Sequence, residues 1–372
     1  MSQSPARRPR VLVLFGGRSG EHPISAVTAG GVLRAIDRAR YDVLAVGITR
    51  GGHWVPADDD PDRWTITDGR LPEVTDDSVR VLLPQAADDR EVRALRGSAA
   101  EALGDVDVVF PLLHGPFGED GTVQGMLELA DVRYVGAGVL ASAVGMDKEM
   151  MKLVFAGRGL PVGPFRVVRP GEPDGDSPGV LARVQELGLP VFVKPARAGS
   201  SLGISKVTSW DGLAAAIRVA AEHDPKVLVE AAVEGREIEC GVLGGRGGAP
   251  ARASLPGEIV VHGEHAFYDF EAKYLDEASV DLTCPADLPD EVTARVRELA
   301  VRAFDAIGCE GLARVDVFVR PDGDVVLNEI NTMPGFTPFS MYPRMWASTG
   351  LDYPALVDEL IQLALERPTG LR

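Results

Sequence analysis

The sequence predicts a mixed fold, in which an α/β unit is followed by α+β units. At the start, the apolar residues 11–15, the glycine turn 16–23 and a helical pattern predict the first strand, turn and helix of an open parallel sheet. Near the other end, two β-rich runs, 312–319 and 325–327, flank an Asp-Gly pair, which is a strong hairpin signal. A chain of 372 residues can hold two or three domains with real cores.

The composition of the chain argues against several classes of protein. The formal net charge of -17 argues against a nucleic-acid scaffold and against a polybasic membrane contact. The apolar run after the N-terminal arginines is too short for a signal-peptide core, and no later run approaches the roughly 20 apolar residues that span a bilayer. The cysteines Cys240, Cys284 and Cys309 lie far apart, which is typical of structural thiols in a reducing cytosol. We therefore expect a cytoplasmic protein with no nucleic-acid or membrane partner.

The first 145 residues read as one small open-sheet domain. A second strand over residues 41–48 and a buried strand over 107–113 are followed by the turn 114–121 and a helix over 122–129. Ligands of such sheets bind at the carboxyl ends of the strands. Glu21, in the first turn, suits a cationic ligand group better than a phosphate, although many glycine turns bind nothing. His114 is either a substrate contact or a hydrogen-bonded structural residue.

The middle of the chain carries candidate phosphate ligands. A helix is expected near residue 150, with an apolar face that leaves Lys148 pointing elsewhere; that face is expected to comprise Met146, Met150, Leu153 and Val154. Lys194, at the end of a short apolar strand, is a poor core residue but a good phosphate ligand. The small residues of the turn 199–203 let backbone amides close over phosphate oxygens. This turn lacks a Walker sequence, so it is either a flexible flap or a plain surface hairpin loop.

Two acids and an irregular segment complete the middle region. Glu230 and Glu237 lie at strand ends, where they either accept hydrogen bonds from an adenine amine and ribose hydroxyls or are simply solvated. Residues 265–276 are aromatic and charged without a clean period, and a long irregular segment of this kind is often a lid. Lys273 and Tyr274 are its candidates for reaching substrate. Helices are expected over 181–187, 291–307 and 353–365.

The hairpin near the C-terminus is the centre of the predicted site. If its strands pair across the Asp-Gly turn, Asp316, Glu329 and Asn331 fall on one face, next to Arg314. Carboxylate and amide oxygens suit Mg²⁺ or Mn²⁺, which keep nucleotide phosphates and waters in their shell. The alternative is that these residues form the solvated rim of an edge hairpin.

Six ordered motifs, spread over nearly the whole chain, resemble those of D-alanine-D-alanine ligases, members of the ATP-grasp superfamily. In order they are Gly-Gly-Arg-Ser-Gly-Glu-His from residue 16, His-Gly-Pro-Phe-Gly-Glu-Asp-Gly from 114, Asp-Lys at 147–148, Val-Lys-Pro with Gly-Ser-Ser-Leu-Gly from 193, Glu-Ala-Lys-Tyr from 271, and Arg-Val-Asp with Asn-Glu-Ile-Asn-Thr-Met-Pro-Gly-Phe-Thr from 314. The resemblance implies a three-domain ATP-grasp fold: an N-terminal α/β substrate domain (1–145), a central subdomain (146–238), and a C-terminal subdomain with the metal site and lid (239–372).

The resemblance also implies an activity. Members join two D-alanine molecules with ATP through an acyl phosphate, which supplies a peptidoglycan precursor. ATP and two D-alanine molecules are then the expected ligands, with two Mg²⁺ or Mn²⁺ ions, and a homodimer is the expected assembly. Closure of the domains would protect the acyl phosphate from water.

The same resemblance implies roles for individual residues. Those implied in catalysis are Glu21, Ser200, Tyr274, Arg314 and Gly335. Those implied in ATP binding are Lys148, Lys194, Ser200, Ser201, Glu230, Val233, Glu237 and Lys273. Those implied in substrate binding are Glu21, His114, Lys273, Arg314, Gly335, Ser340 and Met341. Those implied as metal ligands are Asp316, Glu329 and Asn331.

One departure from the family pattern is visible. Relatives often have a lysine after the position of Glu230, where this chain has Ala231, so the base contacts are expected to differ in detail. The Ala-Lys-Tyr sequence of the lid resembles dipeptide-forming members, which favours D-alanine over D-lactate as the second substrate. Two alternatives stay open: a D-alanine-D-lactate ligase, and a nucleotide-binding regulator that kept the fold without turnover.

Overall fold

The computed structural model of the chain describes residues 7–172, 178–199, 201–261 and 280–369. The predicted lid lies outside the described residues, and so do Ser200, Lys273 and Tyr274.

The N-terminal region forms the predicted open sheet. Its elements are β1 Arg10–Gly16, α1 His22–Ala35, β2 Asp42–Ile48, β3 Trp54–Pro56, β4 Val79–Leu82, β5 Glu91–Arg96, β6 Ala99–Asp105, β7 Val108–Pro111, α2 Thr122–Leu129 and β8 Arg133–Tyr134. The main sheet has the order β3-β2-β1-β7-β8, parallel except for β3. The strand order reverses between β1 and β7, so their following loops meet at the point where such sheets bind ligands.

A second, antiparallel sheet of β4, β5 and β6 lies in the same region. No prediction from the sequence covers this sheet. All seven residues of β6 have access to solvent, and its sequence does not alternate apolar and polar residues. β4 and β5 do alternate, with buried Val79, Val81, Val92 and Ala94, but each alternating run is only three or four residues long, which is a weak strand signal.

The middle region supplies two helices and a four-stranded antiparallel sheet. Its elements are α3 Val139–Met146, α4 Lys148–Gly157, β9 Phe165–Val168, α5 Pro178–Gln185, β10 Val191–Pro195, β11 Ser205–Val207, α6 Leu213–Ala221 and β12 Val227–Ala231. The sheet order is β11-β10-β12-β9. β10 pairs with β11 across the glycine-serine turn, so that turn is the connection of a hairpin.

The C-terminal region supplies the largest sheet. Its elements are β13 Arg236–Leu243, β14 Arg252–Ala253, β15 Gly257–Val261, β16 Val280–Thr283, α7 Asp290–Ala306, β17 Leu312–Val319, β18 Val325–Asn331, α8 Met341–Ser348 and α9 Tyr353–Glu366. The order is β16-β15-β13-β17-β18, with β14 beside β13. Each predicted domain range contains one main sheet, although β13 crosses residue 238; the domain boundaries stay predictions.

The last two helices tie the C-terminal region to the N-terminal sheet. Trp346 of α8 and Leu360 of α9 are fully buried in one core that also contains Val11 and Phe110. The hydroxyl of Tyr41 donates to Asp358 Oδ1 on α9 at 2.6 Å. The first and last parts of the chain therefore share one core.

The apolar face predicted for the helix near residue 150 is wrong. α3 ends at Met146 and α4 begins at Lys148, so the stripe does not run along one helix. Met150 and Leu153 are 40% and 51% exposed, whereas Met151 and Phe155 are fully buried. The sequence around residue 150 contains more than one set of apolar residues at helical spacing. The break between α3 and α4 determines which of these sets faces the core.

A β-bulge fixes which side of the C-terminal hairpin each residue faces. The pairs are Val319 with Val325, Phe318 with Val326, Val317 with Leu327, Asp316 with Glu329 and Arg314 with Asn331. Asn328 is therefore an extra residue on β18. If the strand continued without the bulge, Asp316 would pair with Asn328, and Glu329 would pair with the buried Val315.

We predict that the two neighbouring methionines differ sharply in their contribution to stability. Met151→Ala should lower the free energy of unfolding by about 2–4 kcal/mol, because Met151 is fully buried and its sulfur contacts the backbone amide of Ile330 at 3.3 Å. Met150→Ala is the matched control, and it should change that free energy by less than about 0.5 kcal/mol. Urea unfolding midpoints compare the two, and equal losses would contradict the helix register.

Candidate active site

One cleft brings together residues from the four-stranded and six-stranded sheets. It has a volume of about 320 Å³. The predicted site residues that line it are Lys148, Lys194, Ser201, Glu230, Val233, Glu237, Arg314, Asp316, Glu329 and Asn331. The predicted phosphate, base and metal residues therefore share one cavity, although they come from distant parts of the chain.

Two lysines hold Glu230 at the floor of the cleft. Lys194 Nζ lies 2.5 Å from Glu230 Oε2, and Lys152 Nζ lies 2.8 Å from Glu230 Oε1. Burial by itself raises the pKa of the Glu230 carboxyl, but the two ammonium groups outweigh it and lower that pKa to about 2. Glu230 is therefore a carboxylate at neutral pH, in a place where an unpaired charge would be costly.

Lys148 is fixed by the start of α4. The side chain of Asp147 caps the helix by accepting from the backbone amides of Glu149 and Met150, and it also accepts from Lys226 Nζ at 2.7 Å. The backbone amide of Lys148 donates to the carbonyl of Ala196. The Lys148 ammonium then donates to the carbonyl of Ala198 at 2.7 Å, and it lies 3.6 Å from Glu329 Oε2.

The hairpin residues meet as predicted. Asp316 and Glu329 are direct cross-strand partners, and Asn331 Nδ2 donates to Asp316 Oδ2 at 3.0 Å. Arg314 donates to both oxygens of Asp316, from Nε at 2.7 Å and from Nη2 at 2.6 Å. Burial lowers the pKa of the Arg314 guanidinium, but Asp316 and Glu239 raise it well above its usual value.

The donor set of this hairpin fits a magnesium or manganese ion. No three histidine, cysteine or acidic side chains in the described part of the chain converge as a metal site. The predicted set instead combines the carboxylates of Asp316 and Glu329 with the amide of Asn331. Oxygen donors from one or two carboxylates, completed by phosphates and waters, are what Mg²⁺ prefers beside a nucleotide.

Glu21 and His114 lie in the adjoining loops of the N-terminal sheet. A Cβ atom built on Gly199 would lie 3.4 Å from Glu21 Oε2, so this carboxylate lies against the turn that follows β10. His114 is buried, with Nδ1 3.2 Å from the carbonyl of Met333 and Nε2 3.3 Å from Thr28 Oγ1. Burial lowers the pKa of its imidazole. Its described contacts are structural, and its contact with substrate stays a prediction.

Gly335, Ser340 and Met341 lie just beyond the hairpin, outside the lining of the cleft. Gly335 precedes the buried Phe336, whose carbonyl accepts from the hydroxyl of Tyr353 at 2.8 Å. The Ser340 hydroxyl lies 2.8 Å from Thr337 Oγ1 and accepts from the backbone amide of Thr337 at 3.1 Å. Met341 is buried beside Gly257. Their roles toward substrate stay predictions.

Three further charged residues that line the cleft were not singled out from the sequence: Glu119, Lys152 and Glu239. Glu239 is the cross-strand neighbour of Asp316 on β13, and it lies 3.1 Å from Arg314 Nε. The alternation of β13 could have revealed Glu239, because it is two residues from Glu237 and so lies on the same face. Glu119 and Lys152 could not be found in this way, because they reach the cleft from a loop and a helix.

Within the described residues, no helix is both long enough and apolar enough to cross a lipid bilayer. The cysteines Cys240, Cys284 and Cys309 are free thiols. Burial raises the pKa of the Cys240 thiol to about 12.

The two sheets and the cleft between them define the chain as a protein of the ATP-grasp class. Family models described as the D-ala D-ala ligase N-terminus and C-terminus match residues 10–137 and 154–362. The chain belongs to the D-alanine-D-alanine ligase family.

Individual relatives are similar to the chain over nearly its whole length. The D-alanine-D-alanine ligase of Kineococcus radiotolerans is 63% identical, with 100% of each chain covered. The solved structure of the Coxiella burnetii D-alanine-D-alanine ligase is 34% identical with a TM-score of 0.79, covering 97% of this chain and 94% of that one. The VanG D-Ala:D-Ser ligase of Enterococcus faecalis is also 34% identical, with a TM-score of 0.81 and coverage of 96% and 100%.

We predict that Glu119 makes the ligand-free protein less stable as the pH rises. Burial and the nearby Glu21 raise the pKa of the Glu119 carboxyl from 4.5 to about 8, although the amides of Gly115 and Met333 oppose this. Between these pH values the folded state holds a proton that the unfolded chain has released, so the free energy of unfolding falls with rising pH.

Glu119→Gln removes this titration while keeping an acceptor oxygen for the two amides. The free energy of unfolding of the variant, relative to the parent protein, should therefore increase between about pH 5 and pH 8. Urea unfolding at a series of pH values measures this difference. A difference that stays constant with pH would show that Glu119 is ionised throughout.

Proposed function

We propose that this protein joins two molecules of D-alanine to D-alanyl-D-alanine with ATP, for peptidoglycan precursor synthesis. The single observation that carries the proposal is the shared cleft, in which phosphate-binding lysines lie next to an oxygen-rich hairpin. Full-length similarity to D-alanine-D-alanine ligases supplies the substrate. A homodimer in the cytoplasm, as the resemblance implies, belongs to the same proposal.

The chemistry explains the residue types in the cleft. A carboxylate resists attack by an amine because its leaving group would be oxide, so it is first converted to an acyl phosphate by ATP. The amine of the second D-alanine then attacks the acyl carbon, and phosphate leaves. Both steps place negative charge near the transferred phosphoryl group and the carbonyl oxygen, where fixed cations and amides stabilise it.

The described residues divide this work. Lys148 and Lys194 bind the phosphates, since both ammonium groups lie in the cleft and balance carboxylates when no phosphate is bound. Arg314 and the amide of Gly335 stabilise the developing oxyanion. Glu21 binds the ammonium group of the first D-alanine at the carboxyl end of β1.

In this proposal the adenosine half of ATP lies beside Glu230, with which Lys194 is paired. Glu230 accepts from the adenine amine, Glu237 accepts from the ribose, and Val233 contacts the base. Ser201, in the turn after β10, covers the triphosphate. Ser200, Lys273 and Tyr274, assigned to the flap and lid, lie outside the described residues.

Asp316, Glu329 and Asn331 would hold the divalent cations. Such ions neutralise charge on the transferred phosphoryl group and orient it. Arg314 donates to both oxygens of Asp316, so the guanidinium orients that carboxylate on the face it shares with Glu329.

We predict that D-alanine, rather than D-lactate, serves as the second substrate at neutral pH. The purified protein with ATP and Mg²⁺ should release ADP when D-alanine is the only other substrate. Adding D-lactate to D-alanine should give no ester product, because the lid sequence resembles that of dipeptide-forming members. Mass spectrometry of the products separates D-Ala-D-Ala from D-Ala-D-Lac. Formation of the ester in preference to the dipeptide would reverse the assignment.

We predict that Glu329→Gln lowers kcat at least about a hundredfold, since a bound metal ion contributes several kcal/mol to transition-state stabilisation. Asp324→Asn is the matched control, because Asp324 lies on the same hairpin but is exposed at the turn, 3.6 Å from Arg295. The control should keep its activity, since exposed ion pairs contribute little. ADP release coupled to NADH oxidation measures both. Undiminished turnover in the Gln variant would refute the metal assignment.

A further inference from the structure

Lys152 contacts residues from both sheets that form the cleft. It lies one helical turn after Lys148 on α4, and it is 2% exposed. Its ammonium lies 2.8 Å from Glu230 Oε1 and donates to the carbonyl of Asn328 at 3.2 Å. Burial lowers the pKa of Lys152, and Glu230 offsets part of that shift. The ammonium group of Lys152 therefore interacts with protein groups and does not face the open part of the cleft.

The carboxylate of Glu230 is held at both oxygens. Lys194 lies at Oε2 and Lys152 at Oε1, and the whole residue is 8% exposed. Oε1 is a buried atom, so a ligand is expected to reach the carboxylate through Oε2, which has about two acceptor positions and uses one of them for Lys194. Because cations lie at both oxygens, the plane of the carboxylate is fixed, and the remaining acceptor position on Oε2 has a set direction.

The surroundings of Glu230 suit the edge of a flat base. Phe192 is its direct partner across β10 and β12, so the two side chains lie on one face of the sheet. Lys194, two residues along β10, shares that face. Val233 adds apolar lining to the same cleft. Relatives often have a lysine at the position of Ala231, and the alanine here places no positive charge next to Glu230.

We propose that Lys152 is a positioning residue for recognition of the adenine amine. By holding one oxygen of Glu230, it aims the carboxylate at the exocyclic 6-amino group. Nucleotides without that amine leave one acceptor position of the carboxylate unfilled and therefore bind more weakly. This inference rests on the proposed function only in taking the nucleotide to be an adenine nucleotide.

A purely structural role makes a different prediction. If Lys152 mattered only because it supports the carbonyl of the bulge residue Asn328, its loss would weaken all nucleotides equally. The informative quantity is therefore a ratio of affinities for two ligands that differ only in the amine. ADP and purine riboside 5′-diphosphate, which has hydrogen in place of the 6-amino group, form that pair.

The test is isothermal titration calorimetry of both diphosphates with Mg²⁺, on the parent protein and on Lys152→Met. The parent should bind ADP at least about tenfold more tightly than the analogue, as expected for a hydrogen bond to a charged acceptor. In Lys152→Met the ratio should fall to within about threefold. Lys152→Gln, which can still donate to Asn328, serves in its place if Lys152→Met does not fold.

Lys226→Met is the matched control. Lys226 is another buried lysine, but it binds Asp147 and Glu149 instead of Glu230. Its loss should leave the ratio at the parent value, even if both affinities change. The proposal is overturned if the ratio in Lys152→Met equals that of the parent, or if the parent does not distinguish the two diphosphates. Calorimetry needs no turnover, so a protein that fails to ligate D-alanine but shows these ratios refutes the proposed function alone.

Discussion

The pairing of β17 with β18 is the contact on which the rest of the site depends. Its register places Asp316 opposite Glu329 and Arg314 opposite Asn331, so two strands present four polar side chains on one face. That register exists because Asn328 bulges out of β18. The bulge lets Leu327 stay fully buried while Glu329 faces the cleft, which an uninterrupted strand could not do with residues two apart.

The bulge is held by groups from another part of the chain. Lys152 of α4 donates to the carbonyl of Asn328, and the backbone amide of Leu327 donates to the carbonyl of Pro161 at 2.8 Å. The same helix begins with Lys148 and contributes the buried Met151 behind β18. α4 is thus the element that connects the lysines of the cleft to the geometry of the hairpin.

Charge balance explains why so many ionised groups can lie in one cleft. Glu230 lies between Lys152 and Lys194, while Arg314 lies between Asp316 and Glu239. Each buried charge therefore has a partner of opposite sign, which offsets the cost of removing it from water. These partners are the groups that a nucleotide and its metal ions would compete for, so the cleft is organised for an anionic ligand although the whole chain carries a net charge of -17.

Elements with a strong local pattern, and the site residues that lie on them, could be predicted from the sequence. β17 and α2 have the predicted bounds, and the predicted face of the hairpin is confirmed. These features depend on periodicity and turn chemistry, which act over a few residues. Tertiary contacts set the bulge at Asn328, the buried face of α4, and the presence of Glu119 and Lys152 in the cleft. These features depend on contacts between distant segments, and no local pattern encodes where a loop and a helix will meet the hairpin.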